Sequence, residues 1–134
     1  MTDLIGAWSL VSSILYRDEV PKPTYGDPPS GQIQYTADGR MSAFLMNPDW
    51  PGSGRDASDG FNDFFSYAGR WSREGDQVRH VIEFSSSPSR VGTEFVRTVS
   101  IIDENTIELT TAPEVSKSGA VYVTKLVWKR HEAL

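Results

Sequence analysis

At 134 residues the chain is long enough to bury one core and too short for two, so residues 1–134 read as a single domain. Hydrophobic residues at 38% and charged ones at 23% give the balance of a globular chain rather than a disordered or membrane one. The net charge of −5 excludes the basic face a nucleic-acid backbone requires, and the absence of cysteine excludes a disulfide framework, a thiol nucleophile and a cysteine-ligated metal.

Met1-Thr2-Asp3 leads into a strand with no signal-peptide core, and no apolar run reaches the length of a transmembrane helix; a cytoplasmic setting without a membrane partner is the expectation. Leu4 to Tyr16 alternates Trp8, Leu10, Ile14 and Tyr16 against Ser9, Val11 and Ser13, the period of two of a half-buried strand. A turn-rich stretch from Pro21 to Ser30 precedes a strand from Gln32 to Thr36 with Ile33 and Tyr35 on one face. Asp38-Gly39 supplies the positive-φ residues of a tight hairpin, and Arg40 to Met46 returns as its second strand. The Asn47 to Gly60 stretch, rich in Pro and Gly, is a long loop. Ser58 or Asp59 is then placed to cap a short helix near residues 58–66, because Phe61, Phe64, Phe65 and Ala68 recur at helical spacing; that stripe would lie across one end of the barrel as a lid or simply seal the core.

Tyr67 to Arg73 reads as strand again, with Tyr67 and Trp71 on one side. From Gln77 to Ser85, Val78, His80, Ile82 and Phe84 share a predicted inward face; in the following strand Phe95, Arg97, Val99 and Ile101 do the same. Thr106 to Thr111 and Val121 to Arg130 complete the set, the last with Tyr122, Thr124, Leu126 and Trp128 inward. Eight antiparallel strands joined to their sequence neighbours, with one short helix, define an all-β up-and-down barrel, whose interior either fills with side chains or holds one small ligand. Trp8 near the start and Arg130 near the finish are expected to stack where the sheet closes, an indole face against a guanidinium plane.

Gly6-Ala7-Trp8, "IQYTADGRMSAF" from Ile33 to Phe44, "YAGRW" from Tyr67 to Trp71, His80, "RVGTEFVR" from Arg90 to Arg97 and "LVWKR" from Leu126 to Arg130 together resemble the lipocalin-like domain family of small bacterial and fungal barrel proteins. The resemblance spans nearly the whole chain and implies a calycin-type barrel; some lipocalin-like barrels act as cofactor-free cyclases or isomerases. Arg90 and Glu94 depart from the family's pattern, in which tryptophan and aspartate are frequent.

Within the predicted interior, His80 is the side chain whose ordinary pKa lies near neutrality, so it is either an acid or base for chemistry or a core histidine satisfied by a tyrosine or a backbone group. Arg97 is the sharper signal, because a buried guanidinium needs a partner and strand parity turns Glu83, Glu94 and Glu108 outward. It either meets an anionic or enolisable oxygen of a ligand, or a β-bulge shifts the register, or it sits at the mouth and reaches solvent or a loop acid such as Asp56 or Asp59. Tyr16, Tyr35, Tyr67, Trp71, Phe84, Phe95 and Tyr122 are candidate walls for an aromatic or polycyclic ligand. With two histidines and no acid at metal-ligand spacing from either, neither metal nor cofactor is expected. The sequence thus points to a monomer or homodimer that binds a small, partly apolar molecule. The alternative is a cofactor-free isomerase or cyclase, with His80 moving a proton and Arg97 stabilising an oxyanion.

Overall fold

The computed structural model describes residues 3–56 and 62–131. Ten strands run in chain order: β1 Gly6–Arg17, β2 Val20–Pro23, β3 Ser30–Tyr35, β4 Arg40–Met46, β5 Phe64–Glu74, β6 Gln77–Ser85, β7 Glu94–Asp103, β8 Thr106–Thr111, β9 Glu114–Val115 and β10 Val121–Arg130. Each long strand pairs antiparallel with the next, and β10 returns to pair with β1, so eight strands close the barrel. β3 takes up only the first part of β1, from Gly6 to Ser9, and β2 pairs with its far end from Ile14 to Arg17. β9 likewise pairs with the start of β10, ahead of the segment that β8 covers. These two short strands extend the wall at one end of the barrel.

The Asp38-Gly39 hairpin forms, with Gly39 at φ 89° and the Thr36 amide donating to the Arg40 carbonyl; of the two residues expected at positive φ only Gly39 adopts it. The closing stack also forms. Trp8 is the register partner of Arg130, whose guanidinium carbon lies 4.2 Å from the Trp8 ring centroid. The same guanidinium donates to the carbonyls of Asp3 and Ile5, and the Trp8 indole N–H donates to the Leu4 carbonyl at 2.9 Å. One planar cation therefore ties the N-terminal segment to the last strand. Arg130→Ala should cost about 2 kcal/mol in urea denaturation, and Arg130→Lys should restore only part of it, because a compact ammonium cannot stack and reach two carbonyls together.

Two β-bulges change which side chains face inward. In β1, Leu10 pairs with Trp128 and Ser12 with Val127, leaving Val11 unpaired. Beyond this extra residue the alternation inverts, so Ser13 and Leu15 turn inward and Tyr16 turns out, its ring beneath the Lys125 ammonium at 5.4 Å. The expected inward Tyr16 is thereby corrected. Between β5 and β6, Ala68 pairs with Phe84 and Gly69 with Ile82, so Glu83 is the extra residue. Phe84, expected inside, is 63% exposed for that reason. The helix expected near 58–66 is corrected where it is described: Phe64 and Phe65 open β5, paired with Met46 and Leu45. Ser58, Asp59 and Phe61 lie outside the described residues.

Candidate functional site

The barrel is packed unequally along its length. Trp8, Tyr35, Met41, Val78, Ile107 and Trp128, all buried, fill the end where β1 begins and β10 finishes. Toward the other end the inward positions carry smaller side chains, Ser13 and Thr124 among them, and an interior cavity of about 610 Å³ remains. Ile33, Leu45, Phe65, Leu109, Leu126 and Trp128 supply its apolar wall. Tyr25 folds over it from the loop after β2, its hydroxyl pKa pushed up by burial, while the neighbouring Thr24 hydroxyl bonds the buried Ser13 at 2.6 Å. Arg90, Glu94, Glu114 and Tyr122 also border the space. The Trp128 indole N–H is buried without a hydrogen-bond partner, the one side-chain polar atom so placed among the described residues.

Arg97 projects inward from β7 onto the cavity wall. It donates to the Val96 carbonyl at 3.1 Å, and its guanidinium carbon sits 4.5 Å from the Phe95 ring centroid; the Arg90 guanidinium approaches the same ring at 5.5 Å. Among the described residues no carboxylate forms a salt bridge with it: the four ion pairs join Arg40 and Arg70 to Glu83, Arg55 to Asp63 and Arg79 to Glu94. Burial pulls its pKa below the ordinary arginine value, while Tyr67, Tyr35 and Glu114 act to keep it charged and Arg90 opposes them. Glu114 on β9 is the acid that strand parity did not reveal. Its segment reads from sequence as loop, and only pairing to β10 brings it beside the cavity.

His80 is fully buried, and both ring nitrogens are engaged: Nε2 with the Tyr35 hydroxyl at 2.7 Å and Nδ1 with the Tyr67 hydroxyl at 2.9 Å. Burial, reinforced by the positive charge of Arg97, lowers its pKa to about 3, so the imidazole is neutral at physiological pH. It does not reach the cavity wall. Tyr35 is equally enclosed, edge-on to Trp71 with ring centroids 4.9 Å apart, and the Trp71 indole donates to the Thr36 carbonyl at 3.0 Å. Of the residues read from sequence as site candidates, the cavity therefore gathers Arg97, Tyr67, Phe95 and Tyr122. His80 and Tyr35 stand behind Tyr67 in a hydrogen-bonded row, Trp71 packs on Tyr35, and Tyr16 and Phe84 lie on the outer surface. Ser13, Leu15 and Tyr25 were not foreseen on the wall; the first two depend on the β1 bulge and the third on the fold of an irregular loop.

Among the described residues, no group of three or more His, Asp or Glu side chains is arranged to hold a metal ion, and no helix is long and apolar enough to cross a membrane. No curated protein matches the chain. A lipocalin-like protein from Bacteroides uniformis ATCC 8492 superposes with a TM-score of 0.54 at 12% identity, covering 96% of this chain and 98% of that one. An uncharacterized protein from Bacteroides eggerthii DSM 20697 gives a TM-score of 0.53 at 15% identity, covering 96% of this chain and 100% of the other. At these identities the likeness is one of fold. The family model for the lipocalin-like domain matches residues 5–131, nearly the whole barrel, and the chain belongs to the lipocalin-like domain family.

Proposed function

We propose that the protein binds a small, partly apolar molecule bearing an acidic or enolic oxygen inside the barrel, with Arg97 as its anchor. The observation that carries this reading is a guanidinium on the wall of a largely apolar cavity with no carboxylate bonded to it. Desolvating a charge is costly unless something compensates it, and an anionic ligand would supply the missing partner. Phe65, Phe95 and Tyr122 offer flat surface for an aromatic body.

The isomerase or cyclase alternative requires a proton donor or acceptor in contact with the bound molecule. His80, the acid or base of that alternative, is enclosed away from the cavity, and the Tyr67 hydroxyl that links it to the cavity wall has its pKa pushed up to about 12 by burial. Such a hydroxyl is a good hydrogen-bond donor and a weak acid, which favours binding without turnover.

A matched pair of fluorescent probes tests the reading. 8-Anilinonaphthalene-1-sulfonate and N-phenyl-1-naphthylamine share one aromatic skeleton, with and without an anion. Both should bind, the sulfonate more tightly. Arg97→Met should weaken the sulfonate by about ten-fold or more, leave the neutral probe within about two-fold, and raise stability by removing a buried charge. Unchanged sulfonate affinity in a stabilised variant would exclude Arg97 as an anchor.

A further inference from the structure

We infer that the Tyr67 hydroxyl is a second, prearranged hydrogen-bond donor to the bound molecule, oriented by a Tyr35–His80–Tyr67 row, so that the cavity selects a ligand with an acceptor-only oxygen such as a carboxylate, sulfonate or phenolate. This deepens the binding reading above and rests on it.

A neutral imidazole has one N–H and one lone pair, and here it faces two hydroxyls. If Tyr35 donates to Nε2, then Nδ1–H donates to the Tyr67 oxygen and the Tyr67 proton is free for a third partner. In the reverse arrangement Tyr67 donates to Nδ1 and Nε2–H donates to Tyr35, whose own proton is then stranded. Tyr35 is 1% exposed, and its hydroxyl has no bonded partner other than His80 among the described residues. The reverse arrangement thus leaves a buried donor unsatisfied and bears its whole desolvation penalty. Tyr67 is different, because it borders the cavity and its proton has somewhere to go.

What it meets there is set by Arg97. Both residues pack on the Phe95 ring, Tyr67 edge-on with centroids 5.1 Å apart and the Arg97 guanidinium carbon 4.5 Å from the centroid. The guanidinium charge also acts on the Tyr67 hydroxyl, lowering the pKa that burial raises. Two donors, one of them charged, converge on a common aromatic neighbour and present no acceptor of their own once Tyr67 accepts from His80. An oxygen that only accepts satisfies both; a group that must donate does not. His80 in this scheme is a positioning residue.

The first test needs no substitution. Long-range proton–nitrogen correlation of the labelled His80 imidazole at pH 7 should find the proton on Nδ1 and a bare Nε2; the Nε2–H tautomer would overturn the inference outright. The second uses the same probe pair. Tyr67→Phe should weaken 8-anilinonaphthalene-1-sulfonate about five-fold and spare N-phenyl-1-naphthylamine. Unchanged sulfonate affinity in Tyr67→Phe would overturn the Tyr67 role while leaving Arg97 as anchor. Failure of the unmodified protein to bind either probe would instead overturn the binding reading itself, and the subsite with it.

Discussion

Gly69→Ala should destabilise the barrel by about 3 kcal/mol or more, the largest effect expected of any single added methyl group. A Cβ built at Gly69 lies 1.8 Å from the Val81 carbonyl oxygen and 3.0 Å from the Glu83 amide nitrogen. Both are backbone atoms of the neighbouring strand, so no rotamer change relieves the clash; β5 and β6 must separate. The close approach exists because the bulge at Glu83 folds β6 toward β5 where Gly69 pairs with Ile82. Gly75→Ala is the control. Gly75 sits at φ 62° with nothing within 4 Å of its added Cβ, so that substitution meets backbone strain alone and should cost only about 1 kcal/mol. Urea midpoints with the near-ultraviolet circular dichroism of the buried aromatics would measure both. A Gly69→Ala protein within about 1 kcal/mol of the parent would mean that the strands do not approach as described.

That glycine also marks the limit of what alternation reveals. β3, β4 and β10 follow the period of two without interruption, so Ile33, Tyr35, Met41, Ala43, Leu45 and Trp128 are buried as their spacing requires. A bulge adds one residue and inverts everything beyond it. In β1 the inverted register exchanges Ile14 and Tyr16 for Ser13 and Leu15, and nothing in the apolar pattern disfavours the wrong choice. In β6 the aromatic Phe84 continues an inward series that the backbone has already left, and the hint lay in the opposite strand, where a glycine interrupts β5. Helical spacing misled at Phe64, Phe65 and Ala68 because the same residues also pair in a strand, and the hydrogen bonds offered by β4 outweigh a short isolated helical stripe. His80 and Arg97 were legible as inward polar groups, yet only the fold separates their roles. One is satisfied by two tyrosines behind the wall, and the other stands on the wall with no carboxylate bonded to it.

The separation predicts how stability responds to acid. His80 has its folded-state pKa lowered from 6.5 to about 3, burial being the larger cause and Arg97 the second. The unfolded chain therefore takes up a proton near pH 6.5 that the folded chain refuses until about pH 3, and stability falls as pH falls across that window. The full contribution is present above the unfolded pKa and amounts to about 5 kcal/mol across the window, on the scale of about 1.4 kcal/mol per pKa unit. Between pH 6 and pH 5 most carboxylates remain ionised in both states, which isolates the imidazole. There the parent protein should lose about 1.2 kcal/mol on lowering the pH by one unit. His80→Gln, whose carboxamide can accept from one tyrosine and donate to the other but cannot titrate, should start less stable at pH 7 and show almost no slope over the same interval. Parallel slopes for the two proteins would show that the imidazole is accessible to protons in the folded state, and the hydrogen-bonded row behind Tyr67 would then not be closed to solvent. A slope confined to the parent means that this row keeps one protonation state throughout the neutral range, so that pH dependence of ligand binding there must come from the ligand or from groups at the cavity mouth.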